Sequence, residues 1–140
     1  MSNPYKDKVL RELSLVNCTP HIIRFMNPAS YVYAQVEPEV MLEIPPSGDI
    51  ARVEYKTQLL DKVLVNNRVI DITGTQYTKV VGLPPPARDT IYVVSKLVAE
   101  SVHGTRDDVY ILANFTRNQH NAIIGARSLA KLQPISSGKI

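Results

Sequence analysis

Cys18-x-x-His21 puts a thiol and an imidazole in one turn. Together they are the parts of a nucleophile–base pair, or half of a four-ligand zinc site. Cys18 is the sole cysteine, and His103 and His120 stand far from it in sequence, so no metal and no cofactor is expected. A histidine in a strand turn is more often a hydrogen-bonded structural residue, so no catalytic residue is assigned. Arg106-Asp107-Asp108 follows Gly104 and sets two carboxylates side by side. They could hold a metal, act as an acid–base pair or contact a ribose. Neighbours on a strand point to opposite faces, which leaves one carboxylate per face and favours an ion pair or a sugar contact by Asp108.

Anion binding has its own candidates. Pro46-Ser47-Gly48 leads into Ile50-Ala51-Arg52. The glycine permits close backbone approach, Ser47 offers a hydroxyl, and Arg52 offers a planar fork for phosphate. No Gly-Lys-Ser/Thr ending follows, so this is not a P-loop. Ser95 opens a helix whose free N–H groups favour an anion. Arg117 and His120 share a polar loop that could close over a ligand. Six tyrosines (Tyr31, Tyr33, Tyr55, Tyr77, Tyr92, Tyr110) fall in strand-like stretches, where packing is their usual role and base stacking an occasional one.

The elements that must position these residues are short. Ten prolines and six glycines punctuate the chain, which favours strands over long helices. Strands are expected over 13–16, 21–25, 31–36, 40–44, 50–55, 57–65, 68–72, 77–81, 90–94, 109–112 and 122–126. Asn66-Asn67 suits a two-residue hairpin turn, because asparagine tolerates positive φ. Ser95 and Gly104 bound the main helix, near 95–103. Residues 3–13 can form a short helix or an arm that packs on a neighbour, and a polar loop is expected over 114–121. The organisation expected is an N-terminal arm or short helix over 1–12, a single globular domain over 13–132 and a flexible tail over 133–140. The fold class is α+β: a β-rich domain of short, mainly antiparallel strands with one main helix.

At 140 residues the chain has the length of one domain. Apolar residues make up 44% and charged residues 21%, as in folded soluble proteins. No run approaches the about 20 apolar residues of a membrane span. Sixteen Lys and Arg against 13 Asp and Glu give +3, without the basic stripe of a duplex-binding surface. Long nucleic acid is therefore not an expected partner, whereas a small anion remains open. A single cysteine fits a reducing compartment.

Several motifs recur in a familiar order. They are Asn17-x-Thr19-Pro20-His21, Pro46-Ser47-Gly48-x-x-Ala51-Arg52-Val53, Gly82-Leu83-Pro84, Tyr92-Val93-Val94-Ser95, Arg106-x-Asp108, and Gly125 before Ser128-Leu129. In this the chain resembles a family of small uncharacterised proteins encoded by phages and by bacterial genomes, over about Asn17 to Leu129. Cys18, where an aliphatic residue is expected, and the triple proline 84–86 depart from the pattern. The resemblance implies no established activity. Its phage association implies a virion component, an inhibitor or a sponge for an immune signalling nucleotide, acting in the cytoplasm of the bacterial host. From the polar turns, the expectation is a binding protein for a phosphorylated nucleotide-like ligand. Its site would comprise Ser47, Gly48, Arg52, Ser95, Arg106, Asp108, Arg117 and His21, in a scaffold open to homo-oligomerisation. The alternatives are a hydrolase or lyase of nucleotide derivatives and a structural or protein-interaction module.

Overall fold

The computed structural model describes residues 9–27 and 39–133. In chain order the elements are β1 (Ser14–Asn17), β2 (Ile23–Met26), β3 (Val40–Ile44), β4 (Arg52–Val65), β5 (Arg68–Val81), β6 (Thr90–Val93), α1 (Lys96–Ser101), β7 (Val109–Arg117) and β8 (Ile123–Ala130). This is the β-rich α+β fold expected, with one short helix. Six strands form one sheet in the order β1-β6-β7-β8-β2-β3, and β4 and β5 form a separate two-stranded ribbon. The longest ladders, β4/β5 and β7/β8, are antiparallel, as is β2/β3; β6 runs parallel to both of its neighbours, and β2 runs parallel to β8.

Burial explains the centre of the sheet. Tyr92, Val93 and Val94 are all buried. Consecutive strand residues face opposite ways, so β6 is covered on both faces, as a central parallel strand requires. One face belongs to a core of Cys18, Ala51, Tyr92, Val94, Val98, Ala99, Val102 and Val109. α1 contributes Val98 and Ala99, and its N-cap Ser95 accepts a hydrogen bond from the Val98 N–H at 3.4 Å. The root of the ribbon adds Val53 and Val80 to the same core.

Although β1 and β3 are the outermost strands of the sheet among the described residues, they meet at one end. Asn17 Nδ2 donates to Ile44 O at 3.0 Å, and Ser47 N donates to Asn17 O at 2.9 Å. Ala51 N then donates to Cys18 O at 3.0 Å, which ties the 45–51 connection to the end of β1. Gly82 has φ +83, and a Cβ there would lie 2.0 Å from Ile50 O. Only glycine lets the end of the ribbon return so close to its beginning.

Several boundaries differ from expectation. The segments 50–55 and 57–65 join in one strand, β4, because Lys56 pairs regularly with Gln76; the ladder is irregular between Glu54 and Tyr55 and between Leu59 and Asp61 without ending. β5 likewise runs without interruption through 73–76. β7 extends to Arg117, so the expected polar loop over 114–121 shrinks to the turn 118–122; Asn114, with φ 55, sits within the strand. The helix stops at Ser101, two residues early, and Gly104 (φ +89) makes the turn that follows. Residues 9–13 carry no helix. The strand expected over 31–36, residues 1–8 of the N-terminal arm and residues 134–140 of the tail lie outside the described residues.

Candidate functional site

The Asn17-x-Thr19-Pro20-His21 motif builds a turn. Asn17 is 1% exposed. Its Nδ2 donates to His21 O at 2.7 Å and to Ile44 O at 3.0 Å, while its Oδ1 accepts from Thr19 N at 3.0 Å and from Thr19 Oγ1 at 2.7 Å. All four partners are satisfied through one side chain, which pins β1, the following turn and β3 together. His21 is exposed and enters this network through its backbone. Cys18 is fully buried. Burial pushes its thiol above the ordinary range and the Asp49 carboxylate adds to this, against opposing contributions from Ser47 and Arg106. A buried thiol held protonated beside an exposed imidazole does not make a nucleophile–base pair.

Ser47 and Gly48 lie in the connection anchored on Asn17 and Cys18. Ser47 Oγ accepts from Asp49 N at 3.2 Å, and Gly48 takes φ +99. Arg52 opens the ribbon opposite Val81 and is exposed. The hydroxyl of Ser95 caps α1. Arg117 Nη1 donates to Asn121 O at 2.9 Å and closes the β7–β8 turn.

Arg106 and Asp108 do come together. Arg106 Nε and Nη2 donate to the two Asp108 oxygens at 2.9 and 3.0 Å. The guanidinium carbon lies 5.4 Å from the Tyr92 ring centre. Tyr92 in turn donates its hydroxyl to Pro85 O at 2.8 Å, holding the triple-proline connection. Hydrogen bonds from Arg106 hold the Asp108 carboxyl below the usual carboxylate range; burial opposes this, and Lys131 assists. The same pair raises the Arg106 pKa. The bidentate pair therefore uses the fork that a phosphate would need.

A cleft of about 540 Å³ opens beside this pair, lined by Ala99, His103, Gly104, Thr105, Arg106, Asp107, Val109, Lys131, Leu132 and Gln133. A neighbouring cleft of about 290 Å³ includes Arg11, Asp89, Asp107, Asp108, Tyr110 and Lys131. The larger cleft sets Asp107 beside Arg106 and Lys131, and the smaller sets three carboxylates beside Arg11 and Lys131, so neither is the uniformly positive hollow that the sequence suggested. Of the eight residues expected to share a site, the larger cleft takes Arg106 and the smaller takes Asp108. Among the described residues no cluster of His, Cys, Asp and Glu could hold a metal.

The largest unexpected feature is the ribbon. Each of its strands has 14 residues, about 45 Å at the strand rise. Asn66 (φ 48) and Asn67 (φ 62) form the two-residue turn at its tip. Beyond the root its side chains are largely exposed, including Leu64 at 72%, Val69 at 63% and Leu60 at 58%. In an antiparallel pair, opposite residues share a face. One face of the outer half carries Val65/Arg68, Val63/Ile70 and Asp61/Ile72, and the other carries Leu64/Val69 and Lys62/Asp71. Leu60 lies on the first face, with its Cδ1 3.1 Å from where a Gly74 Cβ would be. Apolar runs such as Leu59-Leu60 and Val63-Leu64-Val65 signalled this, since consecutive apolar residues on a strand must occupy both faces.

Comparison of the chain with protein-family models, with curated proteins and with solved structures finds no match.

Proposed function

We propose that this chain is a structural, protein-interaction module that works by self-assembly through its ribbon. The observation that carries this reading is the outer half of β4–β5, apolar on both faces and exposed on both. An isolated two-stranded ribbon is marginal in water, and exposed apolar patches of this extent mark contact surfaces. A module of this kind needs no catalytic centre. Sedimentation equilibrium across a dilution series tests the reading. A mass above 15.6 kDa that falls on dilution is expected; a monomer mass at every concentration refutes it.

A second reading, ligand binding, is favoured by the cleft at Arg106. Its volume of about 540 Å³ falls within the 300–1,000 Å³ of small-molecule sites. Under this reading the chain sequesters a phosphorylated nucleotide-like molecule intact, in keeping with an anti-defence sponge of phage origin. Asp108 already occupies the Arg106 fork, so an entering phosphate must compete with it. Incubation with cyclic and ADP-ribose-type nucleotides, followed by heat release, should return unaltered ligand, and Asp108→Asn should strengthen uptake. Altered ligand would instead indicate catalysis, and no uptake removes this reading.

A further inference from the structure

We propose that Lys131 and Asp107, rather than Arg106 and Asp108, are the recognition pair of the clefts, and that the ligand they fit is a sugar phosphate, its phosphate on Lys131 and its sugar hydroxyls on Asp107. This rests on the ligand-binding reading above and names the ligand class and the residues that take it. The larger and the smaller cleft have two lining residues in common, Asp107 and Lys131. Both are exposed, so both reach solvent and a ligand alike.

Elimination leaves these two with charge to spare. Arg106 gives Nε and Nη2 to the two oxygens of Asp108 at 2.9 and 3.0 Å, so that pair is satisfied within itself. Asp89, the third carboxylate of the smaller cleft, has Arg88 Nε at 3.6 Å. Among the described residues, neither Asp107 nor Lys131 has an ion-pair partner. Lys131 Nζ instead lies 5.9 Å from the centre of the Tyr110 ring, which borders the smaller cleft. The ring face attracts the ammonium, whose three N–H groups remain the donors a phosphate needs. Arg11 adds a second cation on the side of the smaller cleft.

A spare cation beside a spare carboxylate selects against simple ligands. Phosphate alone gains Lys131 but is repelled by Asp107. A neutral sugar offers its hydroxyls to Asp107 but leaves Lys131 unused. A phosphorylated sugar satisfies both, and each contact is a charge-assisted hydrogen bond. Ala99, Val109 and Leu132 supply an apolar part to the larger cleft, where a flat ring carried by the sugar finds cover. The same chemistry belongs to a free sugar phosphate and to the ribose phosphate of a nucleotide.

Titration of the ¹⁵N-labelled full chain, followed by NMR, tests the pair with ribose 5-phosphate, ribose, inorganic phosphate and AMP. Ribose 5-phosphate should bind about tenfold or more tighter than ribose or phosphate, as one further charge-assisted hydrogen bond requires. Lys131→Gln should bring ribose 5-phosphate to within about threefold of ribose, and Asp107→Asn should bring it to within about threefold of inorganic phosphate. Amide spectra of the variants check folding. AMP binding tighter than ribose 5-phosphate assigns the pair to a nucleotide, and equal binding assigns it to a free sugar phosphate. A parent that prefers ribose 5-phosphate to neither fragment, or variants that bind the parent's ligands unchanged, overturn this pair while leaving the ligand-binding reading to the nucleotide panel above. A parent that takes up none of these compounds and none of that panel overturns both.

Discussion

Replacing Asn17 tests how the outermost strands are joined. Asn17→Ala deletes four hydrogen bonds of 2.7–3.0 Å from a side chain that is 1% exposed. At about 1 kcal/mol net for each bond, with Thr19 and His21 partly able to turn to water, the loss is roughly 3 kcal/mol. In a domain of this size that lowers Tm by about 10 °C. Asn17→Asp is the sharper perturbation. It keeps the acceptor facing Thr19 but sets a carboxylate oxygen against the carbonyls of His21 and Ile44. At pH 7 it should cost about 1 kcal/mol more than alanine, because a charge is then buried against two acceptors. The folded state raises the pKa of this aspartate above its unfolded value of about 3.9. Its stability relative to the parent is therefore recovered as pH falls through the folded pKa, when the protonated oxygen can donate to one carbonyl. Urea unfolding of both variants, each against the parent at pH 7 and pH 4.5, reads this out through tyrosine fluorescence. Asn17→Asp less stable than Asn17→Ala at pH 7, with the gap closing or reversing at pH 4.5, is the expected result. Equal stabilities at both pH values would show that the amide does not join β1 to β3 and would refute the reasoning.

The Arg106–Asp108 pair gives a pH dependence of the opposite sign. The folded Asp108 pKa lies below its unfolded value, so the pair stabilises fully above about pH 4 and the contribution is lost as pH falls below that. Asp108→Asn should cost about 1.5–3 kcal/mol at neutral pH and flatten the acid limb of a Tm-against-pH curve. Glycine replacements should separate backbone conformation from collision. Gly48→Ala, where an added Cβ meets nothing within 4 Å, should cost about 1 kcal/mol from its positive φ alone. Gly82→Ala, where the Cβ would lie 2.0 Å from Ile50 O, should cost roughly 3–5 kcal/mol; similar losses at both sites in urea titrations would contradict the close approach.

Features set by one or two neighbouring residues were legible in the sequence. Asn66-Asn67 makes the expected turn because both residues tolerate positive φ, and Ser95 caps α1 as its position before an apolar stretch suggested. Element lengths were obscured wherever one residue breaks a period. Lys56 and the polar stretch 73–76 hide two long continuous strands, and Asn114 at φ 55 disguises the continuation of β7. The candidate site depended on which turns meet in space, and spacing along a chain does not encode that. Arg106 and Asp108 found each other because they are two apart, whereas Ser95 and Arg117 make local bonds where they stand. Asn17 was visible as part of a motif, but its role needs Ile44, 27 residues away. The hairpin of the ribbon was legible at Asn66-Asn67, whereas its exposure on both faces was visible only as apolar runs such as Val63-Leu64-Val65.

Shortening the ribbon tests the central claim most directly. Replacing residues 58–74 by Asn-Gly joins the paired Thr57 and Thr75, removes the exposed apolar outer half and leaves Val53 and Val80 in the core they share with α1. In a native mass measurement over a concentration series, the full chain should populate assemblies that the shortened chain, still folded by circular dichroism, does not form. A shortened chain that assembles as the full chain does would contradict the account.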